Sequence, residues 1–271
     1  VRYNDEQAAR EYLKNAIKIV EGETTQILAA EINRTNKDAY SKATIDFVIY
    51  VPNEVYADVS CSFGDIQAQG LSKDLVISNQ YGDIDVKDIG GSAIVKNSFG
   101  RIEIINIGGK VEADNQNGEI KADSIKGDAR LETSFGKIEA YNVKGSLNAK
   151  TSNGKIDVEN INGNVELRSS FGDIDAANIE GNSIINNSNG SIDVNELKGN
   201  VQIKNSFGRI RFSSSNSGNA DIYAKTSFGD IDTNLPINVT KAVSQYTAQG
   251  ITGEGKYKIE LITSNGNIEI K

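Results

Sequence analysis

Aspartates at positions 157, 175 and 193 recur at a constant interval. If that interval is one structural unit, the three carboxylates stack about 4.8 Å apart, the spacing of neighbouring strands. Clustered hard oxygen ligands suit a divalent cation such as calcium. Several units carry a second acid two residues earlier, as in Asp83 with Asp85, Asp173 with Asp175 and Asp230 with Asp232. Paired carboxylates also serve general acid and base in cleaving glycosidic bonds. The opposing expectation is a solvated charged face relieved by Lys137, Lys155 and Arg209, so Asp157, Asp175 and Asp193 are weak metal candidates. No cofactor is called for.

Aromatic residues form a second column. Phe63, Tyr81, Phe99, Phe135, Phe171, Phe207 and Phe228 each precede a glycine, and Asn117, Asn153, Asn189 and Asn265 hold the same place in the remaining units. Such rings are expected either to lie over the glycines of adjacent units and keep water off the backbone, or to form an exposed strip that contacts a glycan or a protein surface. A corner intervenes, so strand parity does not tell whether the rings point in or out. The exchange with Asn points to a partly exposed rim. From Phe99 to Phe207 the rings fall two units apart, about 9.6 Å by strand spacing, too far for direct stacking. Only Phe63–Tyr81–Phe99 and Phe207–Phe228 are spaced to stack.

A third column, three residues before each glycine, runs Asn79, Asn97, Asn115, Thr133, Thr151, Ser169, Asn187 and Asn205. These short polar side chains are expected to satisfy turn backbone from one unit to the next. Cys61 holds the equivalent place in the first unit and is expected to be a small buried replacement.

The element that positions these columns is a repeat. Glycines stand at 64, 82, 100, 118, 136, 154, 172, 190 and 208, every step being 18, and an isoleucine follows two residues after each, from Ile66 to Ile210. The frame returns at Gly229 and Ile231 after a longer step, and again at Gly266 and Ile268. Counting from each glycine, small or aliphatic residues recur at +4 and +7. A second glycine follows at +9 from Gly91 to Gly199, and apolar residues at +11 and +13. Alternation of period two marks strands with one buried face. Two short strands and two glycine corners in each repeat describe one coil of a parallel β-solenoid, stable only as a stack. We expect an all-β parallel β-helix of about ten coils, right-handed as parallel crossovers generally are. The hexapeptide helix and the calcium-binding nonapeptide roll do not fit, because their spacings and turn ligands are missing.

Composition agrees with a thin elongated core. The chain has 271 residues, 38% hydrophobic, with 26 Gly and two Pro. A net charge of −8 with interspersed Lys and Arg argues against nucleic acid as a partner. One Cys and no His leave no intrachain disulfide and little triad or zinc chemistry. No apolar run reaches a transmembrane span. The chain starts at Val1 and contains no Met, as expected of a processed chain or an excised segment. A removed signal peptide, and an extracellular, cell-surface or periplasmic location, are expected.

Residues 1–56 lie outside the repeat. Asn4–Asn15 is expected to form a short amphipathic helix with Asn4 as its N-cap, followed by strands at Ile17–Val20, Gln26–Ile32 and Thr44–Val51. Together they would form an α/β cap over one solenoid end. The regular solenoid spans 57–232. Residues 233–271 hold an irregular coil or coils and the closing strand.

The repeated S-[FYN]-G-x-I-x-[AV], the lead-in "VPNEVYADVS" and the final "TSNGNIEIK" resemble a bacterial β-strand-repeat family named for adhesins and of otherwise unknown function. The head-domain adhesins of Bacteroidetes are a close second. The resemblance covers about residues 42–271. It implies a β-helix and a cell-envelope or secreted setting, and it transfers no catalytic residue. The function expected is that of a non-enzymatic structural or adhesive solenoid, contacting a surface protein or glycan. The alternatives are self-association into fibres and, behind it, a polysaccharide-active β-helix enzyme. The enzyme needs walls from long inserted loops, and the unbroken run of equal steps from Gly64 to Gly208 leaves none.

Overall fold

The structure, a computed structural model, describes residues 17–21, 26–30, 47–242 and 245–271. The chain divides into two compact units, Val1–Val51 and Pro52–Lys271. In the first, Ile17–Glu21 pairs antiparallel with Gln26–Ala30. The helix expected over Asn4–Asn15 lies outside the described residues. Of the strand expected over Thr44–Val51, the described part, Phe47–Val51, has no strand structure.

The second unit is the solenoid. Each coil contributes one strand to a 13-stranded sheet and one to an 11-stranded sheet. The coil around Gly136 shows the pattern: Ala129–Phe135 in the larger sheet, Ile138–Val143 in the smaller. Successive coils pair in parallel and in register, so Ile120 meets Ile138 and Ile138 meets Ile156. The isoleucine column is fully buried from Ile84 to Ile210. Burying one such side chain contributes roughly 1.5–3 kcal/mol, before the entropy of ordering is subtracted.

The +4 to +7 spacing breaks strict alternation for a local reason. Residue +6 is left-handed, with φ of 54–62° at Asp88, Asn106, Ser124, Asn142, Asn160, Asn178 and Glu196. This inserts one extra outward residue, as a bulge does, and returns +7 to the core. Asn and Asp tolerate that region best among non-glycine residues. The glycine at zero is required by contact as well as by φ. At Gly100, with φ of +124°, a Cβ would lie 2.1 Å from the carbonyl oxygen of Gly82.

The C-terminal end departs from sequence order. Tyr257–Asn265 lies between Val201–Phe207 and Ala220–Phe228, parallel to both. Ile268–Ile270 lies likewise between Ile210–Ser213 and Ile231–Thr233. The chain thus skips one level after Ile210 and fills it with its C-terminal strands. The lengthened step from Gly208 to Gly229 supplies the extra reach. Its few added residues readily cover one strand spacing of about 4.8 Å, at about 3.3 Å per extended residue. The detour forms a 3₁₀ turn at Ser215–Asn219. Ser217 Oγ within it donates to the carbonyls of Ser214 and Lys271, tying the detour to the chain end.

Beyond Ala220–Phe228 the larger sheet turns antiparallel. Gln245–Ile251 pairs with that strand, and Asn238–Ala242 pairs with Gln245–Ile251. The stretch expected to be irregular coil therefore holds an antiparallel extension and the intercalated pair. Among the described residues no helix is long and apolar enough to cross a membrane.

Candidate functional site

The aromatic corner follows from the coil's geometry. Residue −1 is the last of the longer strand, just before the glycine turn, so its side chain leaves the stack at the rim. Phe63 is 68% exposed, Phe135 and Phe171 57% each, and Phe228 66%. The rings point outward, which parity could not decide.

Phe63, Tyr81 and Phe99 occupy consecutive coils and stack, with centroids 5.1 and 5.0 Å apart and planes within 4° of parallel. Tyr81, with a ring on each side, is 44% exposed, below the unstacked Phe135 and Phe171. The expected direct stacking of Phe207 on Phe228 does not occur. Asn265 pairs in register with both, so the intercalated C-terminal strand separates the rings by two levels. Read through space, the column runs Phe99, Asn117, Phe135, Asn153, Phe171, Asn189, Phe207, Asn265, Phe228. The alternation that looked broken along the chain is unbroken in the structure. Asn117, Asn189 and Asn265 are half-buried between exposed phenylalanines.

The polar column at −3 is structural, as expected. Its donors reach the glycine carbonyl of the adjacent coil: Asn97 Nδ2 to Gly82 at 2.8 Å, Thr151 Oγ1 to Gly136 at 3.2 Å, Asn187 Nδ2 to Gly172 at 2.8 Å. The out-of-order strands keep the rule, with Thr226 bonding to Gly266 and Thr263 to Gly208. Cys61, in the first coil, is half-buried and donates to its near neighbour Phe63 O.

The acidic column stacks as predicted, with Asp157 beside Asp175 and Asp175 beside Asp193. Cations of the same face interleave it. Lys137 and Lys155 lie 3.8 and 3.7 Å from Asp157, Lys155 also pairs with Asp175, and Arg209 and Arg211 flank Asp193 at 3.5 and 3.2 Å. No cluster of three acidic ligands suited to a metal occurs among the described residues. An open groove runs over these aspartates and ends at Arg211 and Lys271.

Three of the +1 acids are engaged with backbone. Asp65 Oδ1 accepts from the amide of Asp83, Asp83 Oδ1 from that of Arg101 and Asp173 Oδ1 from that of Ser191, at 2.7–2.8 Å. The Arg101 guanidinium then bridges Asp85 and Glu103 at 3.0 and 2.8 Å. Hydrogen bonding to Arg101 holds the Glu103 carboxyl below the usual carboxylate range, and Lys137 does the same for Glu139. Burial, with the nearby Asp157 and Glu139 charges, pushes the Tyr141 phenol up to about 12.

One ladder escaped the sequence reading. On the second corner Asn106 Nδ2 donates to Asp88, Asn160 to Asn142 and Asn178 to Asn160, at 2.6–3.2 Å. Its signal was present, since Asn, Asp, Ser and Gly70 recur at +6.

No curated protein and no solved structure matches the chain. One family model does match, over residues 7–176 and again over 162–271. The two matches overlap within the regular coils, as a repeat allows, and together they span nearly the whole chain. A parallel solenoid with glycine corners and a buried isoleucine spine is thus a β-repeat protein of a family without established function, and the chain belongs to the Toastrack DUF4097 family.

Proposed function

We propose that the chain is a non-enzymatic structural or adhesive solenoid of the bacterial cell envelope or extracellular space, which contacts a protein or glycan through its aromatic corner. The observation that carries this is the outward exposure of the column from Phe63 to Phe228 on a rigid, in-register frame. Phenylalanines more than half exposed are costly to leave in water, and a repeated apolar strip rimmed by polar residues marks a contact surface. The likeness of the S-[FYN]-G-x-I repeat to adhesin-like bacterial proteins supports the location.

The non-enzymatic reading rests on the carboxylates. Asp157, Asp175 and Asp193 at +3 sit in ion pairs, and Asp65, Asp83 and Asp173 at +1 are hydrogen-bonded to backbone. A general acid needs a raised pKa in a sheltered site; the aspartate groove is open, and Glu119, whose carboxyl is raised, is only half-buried at the corner.

The test applies the protein and its Phe135→Asn/Phe171→Asn variant to a glycan array and to immobilised bacterial surface proteins, this chain included. Binding that the variant loses is expected. No binding to any of them, or release of reducing sugar from a polysaccharide panel, overturns the reading.

A further inference from the structure

The Phe/Asn alternation has a geometric consequence. Phe63 and Phe99 lie two coils apart, and Tyr81 fits between them with centroid distances of 5.1 and 5.0 Å. An interval of two coils, about 9.6 Å, therefore accepts one aromatic ring stacked on both sides. From Phe99 to Phe228 the same interval recurs, but the middle coil carries the shorter Asn, leaving a gap between consecutive Phe side chains. The out-of-order C-terminal strand preserves this pattern, with Asn265 between Phe207 and Phe228. Duplication of coil pairs along the chain would not place an Asn there.

We propose that these gaps receive the phenylalanines of a second copy of this chain, so that two solenoids interleave along their aromatic corners as an antiparallel dimer. This rests on the reading that the aromatic corner is a contact surface, and it names the partner. A second copy has the same ring spacing by construction, with each ring offset by one coil from each gap.

The charges select the register. A two-fold axis perpendicular to the rods and to the line joining them brings the same flank of both corners together, so +1 residues face +1 residues. With Phe171 of each copy in the gap at Asn153 of the other, Phe99 falls at Asn265. Lys155 then faces Asp173, and Glu119 faces Arg209, each pair occurring twice. Shifting by two coils keeps rings in gaps but opposes like charges. One shift sets Lys137 against Lys155 and Glu119 against Asp173; the other sets Lys155 against Arg209 and Glu119 against Asp230. Of these three registers only the central one is complementary over the interleaved stretch; a shift of four coils sets Lys155 against Asp230 but leaves only Phe171, Phe207 and Phe228 of each copy in gaps, one ring fewer. Interleaving runs from Phe99 to Asn265; at the next level Phe228 of each copy comes opposite Tyr81 of the other, whose stacked ring leaves no gap, and Asp83 comes opposite Asp230, so Phe228 must turn aside there. The contact is isologous and closes at two copies. Desolvation and the neighbouring Glu139 raise the Glu119 carboxyl in the single chain, and an arginine from a second copy would relieve it.

Light scattering on the full chain tests this. Wild type is expected at about twice 29.2 kDa with concentration-dependent dissociation. Asn153→Phe fills the central gap with a ring, as Tyr81 does in its own coil, so it should keep or raise Tm while weakening the dimer at least about tenfold, about 1.4 kcal/mol. Glu119→Lys should weaken the dimer, and Glu119→Lys with Arg209→Glu should restore it. A wild-type monomer at all concentrations, a dimer indifferent to Asn153→Phe, or a double variant no better than the single overturns the proposal. A monomer that still binds glycan or another protein through Phe171 would overturn the dimer and leave the contact-surface reading standing.

Discussion

Asn265 lies beside Phe207 on adjacent parallel strands, although the whole C-terminal excursion separates them in the chain. That neighbourhood makes the final strands a wedge between two coils. Without Tyr257–Ile270, Ala220–Phe228 loses its parallel partner, and Val201–Phe207 becomes an open edge of the kind that invites aggregation. Truncation before Tyr257 should therefore free residues 213–256 for proteolysis while 57–212 stays protected. Limited proteolysis with mass mapping checks this, and equal protection of both segments would count against the wedge.

Two glycines of the same column should respond differently to alanine. Gly64 and Gly100 both have positive φ, +119° and +124°. A Cβ on Gly64 meets nothing within 4 Å, whereas on Gly100 it meets the Gly82 carbonyl oxygen at 2.1 Å. Gly64→Ala should cost only the backbone strain, about 1–3 kcal/mol. Gly100→Ala should cost clearly more, because one coil must move away from the next. Urea denaturation of both variants measures the difference, and equal losses would refute the contact argument.

Calcium should leave the melting temperature unchanged. Lys155 and Arg211 already neutralise Asp157, Asp175 and Asp193, and a cation would have to displace those pairs. The check is a thermal melt at about 5 mM calcium, above the affinity range of extracellular sites. A rise of several degrees would revive a metal role for this column.

The coil itself was legible because period and packing are one fact: a residue that recurs once per coil stacks on itself. Gly100, Ile138 and Thr151 each declared a place in the cross-section. Stacking order is a different kind of information. Periodicity says that Ile268 is equivalent to Ile210 and Ile231, but not that it lies between them. The clue was the lengthened step from Gly208 to Gly229 together with two phenylalanines in succession, Phe207 and Phe228, where an Asn was due. Ring direction was illegible because the corner after Phe171 breaks parity. The left-handed residue at Asn142 shows only in its column of Asn, Asp, Ser and Gly at +6, because its neighbours Tyr141 and Val143 look like continuous strand.

Thr151→Val isolates one rung of the polar ladder. The variant keeps shape and burial but removes the donor to the Gly136 carbonyl. A fully buried carbonyl without its partner costs about 1–3 kcal/mol, and the half-buried Gly136 carbonyl should cost toward the lower end, so the urea midpoint should fall with an unchanged m-value. Thr151→Ser retains the hydroxyl and should recover part of the loss. No change in the valine variant would mean that the Gly136 carbonyl is satisfied in another way.

Acid should weaken the solenoid through Glu103 and Glu139. Both folded-state pKa values are lowered, chiefly by hydrogen bonds from Arg101 and Lys137. The stability these groups contribute is complete above the unfolded value of about 4.3 and is lost as pH falls through the lower folded value. Glu119 acts oppositely, since burial and Glu139 raise its pKa, so its share is present at low pH and lost as pH rises through that value. Two depressed groups against one raised group predict a Tm that falls on acidification below about pH 4.3. Glu103→Gln with Glu139→Gln should lower Tm at neutral pH and flatten that fall. These groups lie near the surface, so about 1 M salt should shrink both effects. A pH profile of the double variant parallel to that of wild type would show that these pairs do not carry the acid sensitivity.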